Sequence, residues 1–367
     1  GKLKKELQKK YYEPESKSAL ESLNKLCVRI VFCLYAESAG LFGKKTSFRD
    51  YLQLYPPQLL RKGLIELFQV INTPKENRDP YLPEELKNFP YVNGGLFAEE
   101  NIEIPIFDDE IKNLLVNYGD EDFDWSDISP TIFGAVFEST LNPETRRSGG
   151  MHYTSIENIH KVIDPLFLDD LKAEFETVKN SKKKLFAFQE KIANLKFFDP
   201  ACGSGNFLTE SYISLRKLEN EILKELLGSQ IKFGELDNPV KVSISQFYGI
   251  EINDFAVAVA KTALWIAECQ MLEETAAIVH KEFEPFPLET SASIIEGNAL
   301  QLDWKKFIKP GETSFIMGNP PFVGYTYQTP EQREDIKNIW RDKDGKLYKS
   351  VGKLDYVSCW FKKAADF

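Results

Sequence analysis

The chain has 367 residues, 43% hydrophobic and 28% charged, which is ordinary for a globular protein of two or three domains. Its formal net charge of −10 argues against nucleic-acid binding by the surface as a whole. Five cysteines and three histidines are scattered without paired metal-ligand spacing. We therefore expect no metal site and no disulfide framework, but reduced core thiols.

The amino-terminal residues do not read as a secretory signal, because the basic start is not followed by an apolar core and a cleavage site. The longest apolar stretch, Cys27–Ala36, is interrupted by Arg29 and is too short to cross a bilayer. We therefore expect a cytoplasmic location and no membrane partner. The chain lacks an initiator methionine and ends inside a helical pattern, which indicates a piece of a longer protein.

Residues 1–148 are predicted to form a mostly helical amino-terminal or linker domain without catalytic spacing. Ser18–Leu41 carries a nearly continuous apolar face and ends at Gly40 and Gly43, which predicts a buried helix with a glycine stop. Further helices are predicted over residues 48–54, 59–71, 108–118 and 130–141.

Residues 149–367 are predicted to form a second domain, in which short apolar strands alternate with helices. Ser155 is a candidate cap for a helix over residues 156–171. Lys182–Lys184 begin another helical stretch and are interpreted as a solvated face.

An apolar run that ends at Phe198 is followed by a glycine turn and by helical periodicity over Phe207–Leu227. Gly203 and Gly205 have no Cβ, so a ligand could lie directly on the backbone at the helix start. A bare Gly-Ser-Gly is more often an ordinary turn between strand and helix, but the whole of residues 199–207 is far more specific. Leu208 occupies the third glycine position of a dinucleotide fingerprint, which weighs against NAD.

Residues 199–207 resemble the first motif of class I S-adenosylmethionine-dependent methyltransferases, in the form found in amino-methylating DNA methyltransferases. The resemblance implies S-adenosylmethionine as cofactor, bound by Asp199, Pro200, Ala201, Gly203, Gly205, Asn206 and Phe207. Residues 132–155 look like the opening segment of type I modification subunits and single-chain restriction-modification enzymes. This implies that Tyr153 and Thr154 touch the methionine part of the cofactor, and a threonine can offer a hydroxyl and a backbone N–H to a carboxylate.

Two later strands end in polar residues. Glu251 ends the strand that follows the glycine loop by one strand-helix unit, where a carboxylate can accept hydrogen bonds from both ribose hydroxyls. The sequence around Glu251 is similar to the family's second motif. This resemblance implies that Ile252 also contacts the cofactor. Asn298, followed by Ala299, stands where related enzymes usually have an aspartate that accepts from the adenine amine of the cofactor. Its amide could accept through oxygen and donate through nitrogen. Asp254 is a candidate cap for a helix over residues 254–271.

The strand over residues 314–317 leads into Asn319, Pro320, Pro321 and Phe322, which we assign as the catalytic residues. Adenine N6 is a poor nucleophile because its lone pair is delocalised into the ring. The Asn319 side-chain oxygen and the Pro320 carbonyl could accept its two hydrogens and aim the lone pair at the methyl group. Phe322 offers a flat apolar face for an extruded base.

The motif order resembles the gamma class of N6-adenine DNA methyltransferases, and residues 354–366 look like a helix of type IIL-like single-chain enzymes. The predicted fold is α/β, a Rossmann-like class I methyltransferase core in the strand order third, second, first, fourth. The core would be incomplete at its carboxyl end, with the fourth strand an unprotected edge.

The expected function is site-specific methylation of adenine N6 in double-stranded DNA, within a restriction-modification or phage-defence system. A recognition or nuclease domain could lie on the same or a partner chain. Residues 337–353 contain six basic and two acidic residues, a local net charge of 6 − 2 = +4, which fits either a DNA contact or a solvated loop. The alternatives are methylation of cytosine N4 or of a protein glutamine, or a non-catalytic DNA-binding or assembly subunit that retains the fold.

Overall fold

The computed structural model describes residues 2–92, 95–98, 101–117, 124–131, 133–134, 154–228, 239–280, 293–342, 344–349 and 351–367. These residues divide into two compact units, one made by residues up to 134 and the other by residues from 154 onward. The predicted domain boundary after residue 148 and the predicted helix over residues 130–141 lie largely outside the described residues.

The first unit is helical in its described part, as its sequence pattern predicts. Its longest helix, α2 (Lys17–Ser38), ends two residues before Gly40, which adopts a positive φ of 71°. Arg29, which interrupts the apolar face of α2, is buried and donates from Nε to the carbonyl of Leu96 at 2.8 Å. The α-helices are α1 (Lys2–Gln8), α2 (Lys17–Ser38), α3 (Ser47–Gln53), α4 (Pro57–Asn72), α5 (Glu84–Lys87) and α6 (Asp109–Asn117).

The second unit is α/β. Its α-helices are α7 (Ile156–Ile163), α8 (Asp169–Val178), α9 (Lys182–Ala193), α10 (Asn206–Gly228), α11 (Asp254–Val279), α12 (Pro330–Ile339) and α13 (Ser358–Asp366). Its strands are β1 (Phe197–Asp199), β2 (Phe247–Glu251), β3 (Ser293–Glu296) and β4 (Phe315–Ile316).

The four strands form one parallel sheet in the order β3-β2-β1-β4, which confirms the predicted order. The register pairs Phe197 with Phe247 and with Phe315, and Glu251 with Glu296. Because all strands are parallel, their carboxyl ends lie along one edge of the sheet. The direction of strand addition reverses at β1, and ligands of open α/β sheets bind at such a reversal.

Successive residues of β1 face opposite sides of the sheet, so the sheet separates two apolar cores. Phe197 packs with helices α7 to α11, and its ring stacks on Phe247 at a centroid distance of 4.9 Å. Phe198 packs with the chain that follows β3 and β4, including Trp304 and Trp360. Both faces of β1 are therefore buried, and packing on both sides stabilises a strand of only three residues.

The helix over residues 156–171 was predicted as one element, but it contains a π-helical turn over Asp164–Leu168. Pro165 lies in this turn and has no backbone N–H to complete the regular ladder. Ser155 caps α7 as predicted, since its side chain accepts from the backbone N–H of Asn158.

Helix α11 differs from its prediction at both ends. Its cap is Asn253, whose side chain accepts from the N–H of Ala256 at 2.9 Å, and not Asp254, which lies in the first turn. The helix also continues eight residues beyond Met271, to Val279. Among the described residues it alone is long and apolar enough to span a membrane, and 78% of its apolar window is buried inside the protein. It is a central core helix.

Candidate functional site

The glycine loop lies at the carboxyl end of β1 and is held by its own backbone. The N–H of Cys202 donates to the carbonyl of Ile250 on β2, and the N–H of Gly205 donates to the carbonyl of Cys202. Gly205 has a φ of 81°, and a Cβ added there would lie 2.9 Å from the Cβ of Ala260 on α11. Glycine is therefore required both by the backbone conformation and by the close approach of α11.

Asp199 is buried at the end of β1, beneath the loop that follows β4. Its carboxylate accepts from the N–H of Ala201 at 3.0 Å. Burial raises the pKa of Asp199 to about 7, the Ala201 N–H opposes the rise, and the charge of Glu251 adds to it. Gly318 passes so close that any Cβ there would overlap the Asp199 carboxylate, and its φ is 147°. The loops after β1 and β4 are therefore in direct contact.

Glu251 joins the end of β2 to the glycine loop. One carboxylate oxygen accepts from the N–H of Gly203 at 2.9 Å, and the other accepts from the N–H of Asn253 at 3.0 Å. These two bonds hold the Glu251 carboxylate at the carboxyl end of β2, beside the glycine loop. The next side chain, Ile252, is 67% exposed, and it presents an apolar surface at the same edge.

Asn298 begins the turn that follows β3, beside Glu251. The N–H of the preceding Gly297 donates to the Glu251 carbonyl at 2.8 Å. The side-chain oxygen of Asn298 accepts from the N–H of Leu300 at 2.9 Å, and its nitrogen donates to Asp335 at 3.0 Å. Glu251, Ile252 and Asn298 therefore occupy neighbouring positions at one sheet edge.

Besides Asp199, Pro200 and Glu251, three further predicted cofactor residues have buried side chains, namely Asn206, Phe207 and Ala299. Phe207 belongs to the core on the α10 side and Ala299 to the core on the opposite side. Asn206 is buried at the start of α10, where its side chain meets the Ser204 hydroxyl at 3.3 Å. These three residues can reach a ligand only through their backbone or through the shape they give the loop.

The segment after β4 places Asn319 and Phe322 on the surface. The Asn319 side-chain nitrogen donates to the hydroxyl of Thr154 at 3.3 Å, which turns the side-chain oxygen away from that contact. Pro320 and Pro321 are half-buried, whereas Phe322 is 68% exposed. The Phe322 ring is therefore open to solvent beside the polar side chain of Asn319.

Val323 anchors this loop immediately after Phe322. Its N–H donates to the Asp355 carboxylate at 3.0 Å, and its carbonyl accepts from Tyr356 and from the Gln328 side chain. The exposed residues of the loop thus stand between two fixed points, Gly318 against Asp199 and Val323 against the chain before α13. Tyr153 lies outside the described residues, so its contact with the methionine part of the cofactor stays a prediction.

A profile described as MmeI, DNA-methyltransferase domain, matches residues 175–367, which is more than half of the chain. The chain belongs to the MmeI DNA-methyltransferase family. A second profile, MmeI, helicase spacer domain, matches residues 21–97. The predicted resemblance to methyltransferases of type IIL single-chain enzymes is confirmed, and with it the α/β methyltransferase fold class.

Individual relatives are considerably longer than this chain. DNA methyltransferase A of Bacillus subtilis is 40% identical over 94% of this chain and 38% of its own length. Adenine-specific methyltransferase PglX of Streptomyces coelicolor is 22% identical over 60% of this chain and 20% of its own length. A solved structure of the type IIL restriction-modification enzyme MmeI in complex with DNA matches with a TM-score of 0.82 at 40% identity. That match covers all of this chain and 47% of the solved one, so the chain spans less than half the length of these relatives.

The MmeI-type methyltransferase domain also contains residues near the site that no motif reveals. Trp360 on α13 donates from its indole N–H to the Pro200 carbonyl in the glycine loop at 3.1 Å. Lys363 donates to the carbonyls of Ala299 and Leu300 in the turn after β3. Their only signal in the sequence is the predicted helix that carries them.

Among the described residues, no group of three or more His, Cys, Asp or Glu side chains is arranged to hold a metal ion. Cys202, the cysteine of the glycine loop, is buried, and burial raises the pKa of its thiol well above the ordinary value. A thiol in that environment is a packed residue and a poor nucleophile.

Proposed function

We infer that this DNA methyltransferase domain transfers a methyl group from S-adenosylmethionine to N6 of an adenine that has been turned out of double-stranded DNA. The contact between Asn319 and Thr154, beside a glycine loop in touch with Gly318, carries the proposal. It brings the predicted acceptor residues next to the predicted donor residues. The setting would be a restriction-modification or phage-defence enzyme, with sequence recognition or cleavage supplied by further segments or by a partner chain.

The residues at the sheet edge fit S-adenosylmethionine. A Cβ added at Gly203 would meet no heavy atom within 4 Å, so the loop leaves open space beside its backbone. The Glu251 carboxylate and the Asn298 oxygen are acceptors suited to ribose hydroxyls and an adenine amine. Thr154, with Tyr153, would hold the methionine part, and the remaining loop residues would shape the floor. The cofactor supplies an activated methyl group on a sulfonium.

The acceptor loop would work by hydrogen bonding and positioning. With its side-chain nitrogen on Thr154, Asn319 has its oxygen left to accept one N6 hydrogen, and the Pro320 carbonyl accepts the other. Both bonds favour a pyramidal nitrogen whose lone pair points at the methyl group, so they strengthen as charge develops. Phe322 stacks on the extruded base, and the rigid Pro320-Pro321 pair fixes the carbonyl direction.

Adenine is favoured over the other acceptors. The Asn-Pro-Pro-Phe sequence and the gamma-class motif order favour adenine N6 over cytosine N4 or a protein glutamine, and one relative is named as adenine-specific. Methylation of a cytosine ring carbon needs a cysteine adduct, for which the buried Cys202 is unsuited. An intact acceptor loop also argues against a purely structural subunit.

The test is Asn319→Ala in the full-length enzyme. We expect methyl transfer to fall by about a hundredfold or more, because a preorganised acceptor is lost. Calorimetry should give a cofactor Kd within about tenfold of the wild-type value, since the substitution removes one hydrogen bond to Thr154 and leaves Glu251 and Asn298 in place. Asn338→Ala, an exposed asparagine on α12, is the matched control and should leave both quantities unchanged.

Mass spectrometry of nucleosides from treated DNA identifies the product. N6-methyladenine supports the proposal, whereas N4-methylcytosine would replace it by the runner-up acceptor. Undiminished methylation by the Asn319→Ala variant would overturn the mechanism.

A further inference from the structure

The Asn298 side-chain amide has only one possible orientation. Its oxygen accepts from the backbone N–H of Leu300, and its nitrogen donates to the carboxylate of Asp335. An N–H can only donate and an ionised carboxylate can only accept, so rotating the amide by 180° would break both hydrogen bonds. The Leu300 N–H and the Asp335 carboxylate together therefore fix the orientation of the Asn298 amide, and Asp335 holds its nitrogen end.

Asp335 is itself fixed by donors alone. It is buried on α12, where it also accepts from the Tyr356 hydroxyl at 2.8 Å and from the Gln301 side-chain nitrogen at 2.9 Å. Its three partners come from the turn after β3 and from the chain just before α13. A carboxylate held by three donors is well suited to orient a neighbouring amide.

We propose that Asp335 is a positioning residue that fixes the Asn298 amide so that its oxygen accepts the exocyclic amine of the cofactor's adenine. The inference rests on the proposed S-adenosylmethionine site. In this arrangement the Asn298 oxygen accepts from the cofactor, and one N–H of the Asn298 amide donates to Asp335. The Asn298–Asp335 pair then does with two residues what a single aspartate does at this position in related enzymes.

The pair also explains why this chain has asparagine at position 298. An aspartate there would set its carboxylate against that of Asp335, at the place where a 3.0 Å hydrogen bond now lies. Two carboxylates at that distance repel each other. Restoring the usual aspartate in this chain alone is therefore predicted to damage the site, and exchanging both residues is predicted to repair it.

In the exchanged pair, Asn298→Asp with Asp335→Asn, the bond between positions 298 and 335 is re-formed with the donor on the other side. The carboxylate at position 298 still accepts from the Leu300 N–H. The amide at position 335 keeps an oxygen for Gln301, and the Tyr356 hydroxyl can accept from its nitrogen.

The experiment is a double-mutant cycle in the full-length enzyme, with S-adenosylhomocysteine as the calorimetric probe and thermal unfolding without ligand as the check on folding. We expect Asn298→Asp to weaken binding at least about tenfold and the double variant to bind within about threefold of wild type. A coupling between the two positions of less than about threefold would overturn the proposal.

A second probe separates recognition of the amine from mere support of the fold. S-inosylhomocysteine carries a carbonyl in place of the exocyclic amine, so wild type should bind it at least about tenfold more weakly than S-adenosylhomocysteine. The double variant should retain this preference, and Asn298→Ala should lose it. Equal binding of both probes by wild type would overturn the inference alone, whereas no binding of either would overturn the proposed cofactor as well.

Discussion

At the scale of single residues, the buried carboxyl of Asp199 makes stability depend on pH. Burial raises its pKa from 3.8 to about 7, so folding favours the protonated form. The stabilising contribution is complete below about pH 4, where the carboxyl is protonated in both states. It is lost as pH rises through 7, where the folded protein must ionise a buried group.

We therefore expect Asp199→Asn to flatten the pH dependence of the free energy of unfolding between about pH 4 and 7. The variant keeps an oxygen for the Ala201 N–H and removes the ionisation, so at pH 8 it avoids a cost on the order of 4 kcal/mol at most. Denaturant titrations at several pH values measure the effect. Glu268→Gln is the matched control, since burial raises the pKa of Glu268 to about 7 as well.

Glu268→Gln should reduce the slope of the free energy of unfolding against pH by the contribution of Glu268. It should leave cofactor binding unchanged, because Glu268 lies far along α11 from the glycine loop. A pH profile of Asp199→Asn parallel to that of wild type would contradict the assignment.

The residues at the strand ends could be predicted because each depends on local sequence. A strand that stops at Glu251, or a turn that begins at Gly297, is visible in a few consecutive residues. Asp335 and Trp360 could not be predicted, since they meet Asn298 and Pro200 across 37 and 160 residues of chain. Only the packing of α12 and α13 brings them to the site.

At the scale of elements, the packing of α10 against α11 depends on the absence of a side chain at Gly205. Gly205→Ala would place a Cβ 2.9 Å from the Cβ of Ala260 and 3.1 Å from its Cα, at a φ of 81°. We expect the free energy of unfolding to fall by on the order of 2 kcal/mol and cofactor affinity to fall with it. Chemical denaturation and calorimetry measure the two effects.

Gly311→Ala is the control for that substitution, since Gly311 has no heavy atom within 4 Å of an added Cβ. It should be nearly neutral. A Gly205→Ala variant as stable as this control would show that α11 can move away without cost.

Helix positions were predictable from periodicity, and helix ends were less so. The predicted end of α11 lies too early in the sequence. This helix is apolar on all sides, so it has no amphipathic pattern whose last residue would mark the helix end. Its cap was misassigned by one residue, because Asn253 and Asp254 are both good capping residues and only the backbone direction distinguishes them.

At the scale of the whole molecule, the net charge of −10 makes the distribution of charge decisive for DNA binding. Lys346, Lys349 and Lys353 are exposed on the segment between α12 and α13. We expect replacing all three by glutamine to weaken DNA binding and to lower the slope of log affinity against log salt by about 1 for each lysine that contacts a phosphate. Anisotropy titrations of a labelled duplex at several salt concentrations measure this slope.

The matched control replaces Lys182, Lys183 and Lys184 on α9, which are exposed as well and carry the same total charge. If both triple variants lose the same affinity, binding follows net charge alone and the segment between α12 and α13 has no special part in it.

Helix α13 reaches back to two loops that precede it by many residues, through Trp360 to Pro200 and through Lys363 to the turn after β3. For protein engineering this means that the Asn-Pro-Pro-Phe segment, which ends at Phe322, is a poor guide to where this domain can be cut. A version shortened to that point would keep the glycine loop, Glu251 and Asn298 but lose the helix that donates hydrogen bonds to two of the proposed cofactor loops. Grafting or swapping of this module should take α13 with it.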